Sequence, residues 1–212
     1  MKKLFLLVTL SAFNLSFSQE TIKLKKFKNL VIASDSEVTI IKSNRNELII
    51  NDAEETNVVN ESGTLVLGSD SNFMLYYNGD IETITIASDA VLTGNDEIKV
   101  NKLSIIADSD AEVTLKVRVK YLETTASSDA EITLSGKAVN HAAFFSSDAE
   151  LDAKNLIAEN TDIVLSSDAE AVIYTKKTVN VQASSDAEII IYGNPEKVNR
   201  SISGDAEITV VN

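Results

Sequence analysis

Apolar and polar residues alternate along most of the chain in short runs, and clusters of serine, aspartate, asparagine and glycine separate one run from the next. Period-two alternation between turn residues is the pattern of half-buried strands, and no segment sustains the 3.6-residue apolar period of a helix. The stretches 31–40, 48–50 and 64–67 are early examples, with turn signals at Ser43-Asn44-Arg45-Asn46 and Glu61-Ser62-Gly63. Further on, Ser127-Ser128-Asp129-Ala130-Glu131 returns almost unchanged at Ser146, Ser166 and Ser184, and looser copies surround Asp35, Asp52, Asp70, Asp89, Asp110 and Asp205. The successive aspartate separations are 17, 18, 19, 21, 19, 19, 20, 18 and 19 residues. A fixed period of this length marks a stacked-coil architecture.

The pattern predicts an all-β fold: a single-stranded β-helix, a right-handed solenoid of about ten coils of roughly 19 residues. Spacings from 17 to 21 break the strict six-residue period of hexapeptide coils, and seven glycines are too few for calcium-binding nonapeptide repeats. Alternation also sorts each coil into faces. With the repeated aspartate as origin, the residues three before and three after it are almost all apolar, and the residue one after is alanine or serine. These odd offsets, together with the mostly serine position one before the aspartate, are expected to face the core. The aspartate, and the glutamate two after it, then face solvent.

The N-terminus reads as a leader. Lys2 and Lys3 precede an apolar run too short to span a membrane, and the small residues Ser16 and Ser18 provide a cleavage signal. Residues 1–18 are therefore expected to be a secretory signal peptide and 19–212 the β-helix domain, so that the protein is exported to the periplasm, the cell surface or the medium. Without the leader, 17 basic residues stand against 32 acidic ones, a formal net charge of −15. That charge disfavours nucleic acid and anionic lipid as partners, and no later apolar run suggests membrane insertion. There is no cysteine, so burial must supply the stability that disulfides give many exported domains.

The opening Phe27-Lys28-Asn29-Leu30-Val31-Ile32, the runs at Glu37-Val38-Thr39-Ile40, Glu47-Leu48-Ile49-Ile50 and Gly63-Thr64-Leu65-Val66-Leu67, and the recurrent small-small-Asp element resemble the head GIN domain family of putative auto-transporter adhesins. The resemblance covers about residues 27–210 and implies a β-helical fold with a cell-surface role. It brings no catalytic or binding residues. The family's turn is rich in glycine, whereas here glycine survives only at Gly68 and Gly204, and serine or alanine stands elsewhere. A corner requiring positive φ would then have to be built differently.

The stacked carboxylates are the main candidate chemistry. Asp129, Asp148, Asp168 and Asp186, beside Glu131, Glu150, Glu170 and Glu188, form an acidic ladder that could recruit calcium. The favoured reading is that aspartate fixes the corner by an Asx-type bond and glutamate keeps the surface soluble. Lys116, Arg118, Lys120, Lys137, Lys154, Lys176 and Lys177 fall about half a coil away, as a groove for polyanions or as charge balance; no aromatic row is evident beside them. His141, the one histidine, lacks metal-ligand or triad neighbours and is expected in a turn. The lysines near the N-terminus are expected to guard an edge strand.

No catalytic, metal or cofactor residue is assigned, and the protein is expected not to be an enzyme. The expected function is an exported structural or adhesive envelope protein with an acidic face. A calcium-loaded carbohydrate- or protein-binding module is the alternative, and a polysaccharide lyase the third reading. Expected partners are a protein or glycan surface, and a second copy paired end to end.

Overall fold

The computed structural model describes residues 20–51 and 57–211; the expected leader and the corner at Asp52 lie outside the described residues. Strands alone make up the regular structure: β1 (Glu20–Lys23), β2 (Asn29–Ala33), β3 (Glu37–Lys42), β4 (Glu47–Asn51), β5 (Asn57–Glu61), β6 (Thr64–Gly68), β7 (Asn72–Tyr77), β8 (Thr83–Ala87), β9 (Val91–Asp108), β10 (Glu112–Ser127), β11 (Glu131–Ser146), β12 (Glu150–Ser166), β13 (Glu170–Ala183), β14 (Glu188–Tyr192), β15 (Lys197–Ile202) and β16 (Glu207–Val210). From β8 onward each coil pairs in parallel with the next. Glu112 lies on Glu131, Glu131 on Glu150, and so on to Glu207. The fold is a β-solenoid of about seven regular turns with coils near 19 residues.

Seven regular turns replace the expected ten because two reversals fold the N-terminal part back on itself. The turn after β3 sends β4 antiparallel to β7, and the reversed pass continues in β5, antiparallel to β6. The pass ends at Ser62 and Gly63, whose φ values of 51° and 80° match the two-residue hairpin that returns the chain to the parallel direction. β6 and β7 then stack outside β2 and β3, which lie between them and β8 and β9. β1 adds antiparallel to β4 as the terminal strand of the sheet. The lysine-bearing entry segment thus occupies an edge, where lysine hinders pairing with other chains.

The core is a set of columns running along the solenoid. Ala90, Ala111, Ala130, Ala149, Ala169 and Ala187, each one residue after its aspartate, are fully buried. Beside them, Phe73, Val38, Leu92, Val113, Ile132, Leu151, Ala171 and Ile189 form the column three residues after the corner. Gly94 belongs to the next column, where an added Cβ would come within 2.7 Å of Ile40 Cγ1 and 2.9 Å of Leu115 Cδ2; a larger residue has no room.

Three assignments are corrected. The serine before the aspartate is never buried; Ser128, Ser147, Ser167 and Ser185 are exposed, so there is no inward ladder at that position. Two consecutive left-handed residues at the corner interrupt the alternation on which that assignment relied. Inward serines occur instead one residue after the aspartate, at Ser36 and Ser71, and the single hydroxyl proton of Ser36 is shared between the carbonyls of Ala33 and Ser69. In the reversed pass, Leu48 and Ile50 are inward and Ile49 is not.

His141 is the third correction. It lies within β11, 2% exposed, stacked between Leu122 and Thr161. Its Nε2 is 2.9 Å from Thr124 Oγ1. The period-two alternation of Ala143 and Phe145 extends back to position 141 and carries the imidazole into the core.

Candidate functional site

The repeated corner builds the acidic edge. Ser128 and Asp129 have φ of 58° and 66°, and the Ala130 amide donates to the Ser127 carbonyl at 3.4 Å, the φ signs and bonding of a type I′ turn. The same geometry recurs at Ser147-Asp148 and Ser167-Asp168. Positive φ is therefore kept although serine replaces the family's glycine. Aspartate is among the few L-residues that tolerate this region, whereas serine tolerates it less well. The corners are stitched together by main chain: the Asp129 amide donates to the Ser147 carbonyl at 3.1 Å, and the Glu131 amide to the Ala111 carbonyl at 2.9 Å. Among the described residues no hydrogen bond involves the side chains of Asp129, Asp148, Asp168 or Asp186. At Asp129, Asp148 and Asp168, tolerance of the backbone conformation, rather than an Asx-type bond, accounts for aspartate; at the fourth corner only Ser185 is left-handed.

Six glutamates, Glu112, Glu131, Glu150, Glu170, Glu188 and Glu207, form one exposed in-register column. Partial burial, and then the charges of Glu131 and Glu170, raise the Glu150 pKa above its ordinary value. Among the described residues, no three His, Asp or Glu side chains are grouped so as to hold a metal ion.

A second outward column has a different chemistry. Lys99 lies on Arg118, Arg118 on Lys137, Lys137 on Ile157, Ile157 on Tyr174, and Tyr174 on Tyr192. Half of it is cationic and half apolar and aromatic. Beside the cationic half runs a groove of about 740 Å³ with Val100, Val119 and Ala138 in its wall and Lys120 and Lys176 at its margins. Arg118 Nε donates to Glu97 at 2.8 Å, a contact that holds the Glu97 carboxyl below its ordinary pKa. Lys99 and Lys137 have no ion-pair partner among the described residues. Lys154 is displaced from the cationic half and stacks its ammonium 4.5 Å from the Tyr192 ring. Lys177 is bridged to Glu159 at 2.7 Å.

Lys99 and the two tyrosines were not singled out by sequence reasoning, which found no aromatic row beside the cations. Their shared column depends on strand register. The pairing shifts between Leu115 and Lys116 and between Ala153 and Ile157, so residues at different distances from their aspartates come into line.

A family model described as "Putative auto-transporter adhesin, head GIN domain" matches residues 26–195. The chain belongs to that family. Among solved structures, a putative adhesin from Bacteroides fragilis superposes with a TM-score of 0.85 at 14% identity, over 92% of this chain and 96% of that one. A putative adhesin from Parabacteroides merdae gives 0.76 at 16% identity over the same shares. A protein from Parabacteroides distasonis described as a putative lipid binding protein gives 0.69 at 15% identity, again over 92% and 96%. At these identities the likeness establishes a shared fold. No curated protein matches the chain by sequence.

Proposed function

We propose that the chain is an exported, non-catalytic surface module that adheres through the outer walls of its solenoid. The observation that carries this reading is the layout of the polar and aromatic side chains. They form long in-register columns on exposed walls, the acidic edge on one side and the Lys99–Tyr192 column on another, rather than converging around an enclosed cavity. An extended row suits contact with an extended partner. Membership in a family described by its resemblance to adhesin head domains supports the same reading. The apolar run at 4–13, preceded by Lys2 and Lys3, supports export.

Protease treatment of intact cells, followed by immunodetection, tests location: the protein should be lost while cytoplasmic markers survive. Beads coated with purified protein should bind cells or their extracellular matrix saturably, without releasing new reducing ends or unsaturated sugars. Protection of the protein in intact cells, or catalytic release of sugar products, would sink the proposal. A second reading, calcium on the acidic edge, draws on the in-register stacking of six glutamates, whose like charges repel. In that case calcium should raise the melting temperature and a chelator should reverse the rise.

A further inference from the structure

We propose that the column from Lys99 to Tyr192 is a binding track for an acidic polysaccharide, with uronate-type carboxylates over Lys99, Arg118 and Lys137 and a sugar ring stacked on Tyr174 and Tyr192. This rests on the reading of the chain as an adhesive surface module and names the ligand class of that module.

The first argument is register. Six side chains on six successive coils form one line, and at the inter-strand spacing of ~4.8 Å that line is ~24 Å long. A linear pyranose polymer advances by a comparable distance per sugar, so consecutive sugars can meet consecutive coils. Charge provides the second argument. In a protein of net charge −13, the cations of this track cluster together, and among the described residues Lys99 and Lys137 are not neutralised by an ion pair. Charge balance accounts for Lys177, bridged to Glu159, and within the track for Arg118, whose Nε donates to Glu97, but it leaves Lys99 and Lys137 without an ion-pair partner among the described residues. The groove does contain two acids, Asp80 and Glu159, but Glu159 is engaged by Lys177, and the cations outnumber both.

The aromatic half narrows the ligand class. Tyr174 and Tyr192 are half-buried and adjacent, so they are braced by the wall yet present an outer surface. The apolar edges and faces of a sugar ring pack on such a surface, and Lys154, already over the Tyr192 ring, supplies one further donor. A nucleic acid carries its charges on a continuous phosphate backbone, and laid along this line it would bring phosphates over Ile157, Tyr174 and Tyr192, whereas a uronate ring carries its carboxylate on one edge and leaves an apolar face for the tyrosines. A glycan, whose rings carry apolar faces as well as carboxylates, satisfies both halves. The acidic edge of a second copy has the same pitch but offers nothing to the tyrosines.

Isothermal titration of the full mature chain with a hyaluronan hexasaccharide and a hexagalacturonate tests the proposal, with cellohexaose and a single-stranded hexanucleotide as comparisons. At least one acidic oligosaccharide should bind, and the neutral one should bind at least tenfold more weakly. Lys99→Gln with Lys137→Gln should weaken binding at least tenfold and flatten its salt dependence. Tyr192→Ala should weaken binding about tenfold at every salt concentration, because stacking is insensitive to screening. Both variants should melt cooperatively, and Glu131→Gln on the acidic edge should bind at least as well as the parent. Absence of binding by both acidic oligosaccharides, tighter binding of the hexanucleotide, or unchanged affinity in both track variants overturns the proposal. If beads still adhere to cells in any of those cases, the adhesive reading stands and only the ligand class fails. Sedimentation that shows a dimer lost on Lys137→Gln, with no glycan binding, reassigns the track to self-contact and overturns it as well.

Discussion

Ser128, Ser147 and Ser167 hold φ near 57°, a conformation that costs an L-residue with a Cβ roughly 1 kcal/mol and glycine almost nothing. They are exposed, so glycine would remove no packing. Ser128→Gly should therefore stabilise the fold by up to about 0.5 kcal/mol, once glycine's greater unfolded-state entropy is set against the relieved strain. The combined substitution at all three corners should raise the melting temperature by several degrees, and an unchanged or lower value would show that serine is not strained there. His141 makes a different demand. Burial lowers its pKa from 6.5 to about 4, so the unfolded chain takes up a proton at a pH where the folded chain does not. Its effect on stability is therefore nil above about pH 7 and grows unfavourable as the pH falls from 6.5 to 4, reaching about 3 kcal/mol at the lower end. His141→Gln keeps a hydrogen-bonding group for Thr124 but cannot titrate. Denaturant unfolding at pH 7 and pH 4.5 should show a smaller loss in the variant than in the parent, and parallel losses would rule this account out. Position 141 was legible in principle, since alternation carries back from Phe145. A polar residue of unremarkable context nevertheless reads as a turn until its strand is known.

At the scale of elements, the glutamate column puts like charges on adjacent strands, which repel. A carboxyl whose pKa is raised in the fold binds its proton more readily folded than unfolded. Its unfavourable contribution is thus present at neutral pH and disappears as the pH falls through the folded pKa toward the ordinary carboxylate range. Glu150→Gln should accordingly melt higher than the parent at pH 7 in low salt, with an advantage that shrinks in high salt and on acidification toward pH 5. Differential scanning calorimetry at pH 7 and pH 5, each in low and high salt, checks the sign, which is opposite to that of His141. This column was legible in the sequence because its members lie two residues after a fixed corner, before any irregularity can accumulate. The Lys99–Tyr192 column was not. Its residues lie 10, 8, 8, 9, 6 and 6 positions after their aspartates, and only the bulges in β9 and β12 bring them into line. The reversed pass of β4 and β5 was hidden for a related reason. Glu61-Ser62-Gly63-Thr64 announces a turn, but a turn between strands does not reveal whether the chain advances to the next coil or doubles back.

The whole molecule has two unlike ends. At one, the reversed pass and β1 cover the first coils, so Leu48, Ile50, Phe73 and Leu75 are buried. At the other, β15 and β16 form the last coil, with Val198, Ile208 and Val210 partly buried and Ile202 49% exposed. In a solenoid each coil is stabilised chiefly by its neighbours, so a coil with one neighbour should open at a lower free energy than one with two. Amide hydrogen exchange should therefore be fastest in β15 and β16, slowest in β10 to β12, and intermediate at the covered end. Uniform protection along the chain would contradict this nearest-neighbour picture. Exchange measured at low and high protein concentration adds a second discrimination. The unpaired edge of β16 and the incomplete burial of Ile208 and Val210 are what a second copy could complete by pairing end to end. If that pairing occurs, protection of β15 and β16 should rise with concentration while β10 to β12 stay unchanged. Ile208→Lys should abolish the rise, since a charge there would be trapped between two terminal coils. Exchange independent of concentration would mean that the last coil stays open and does not pair with a second copy.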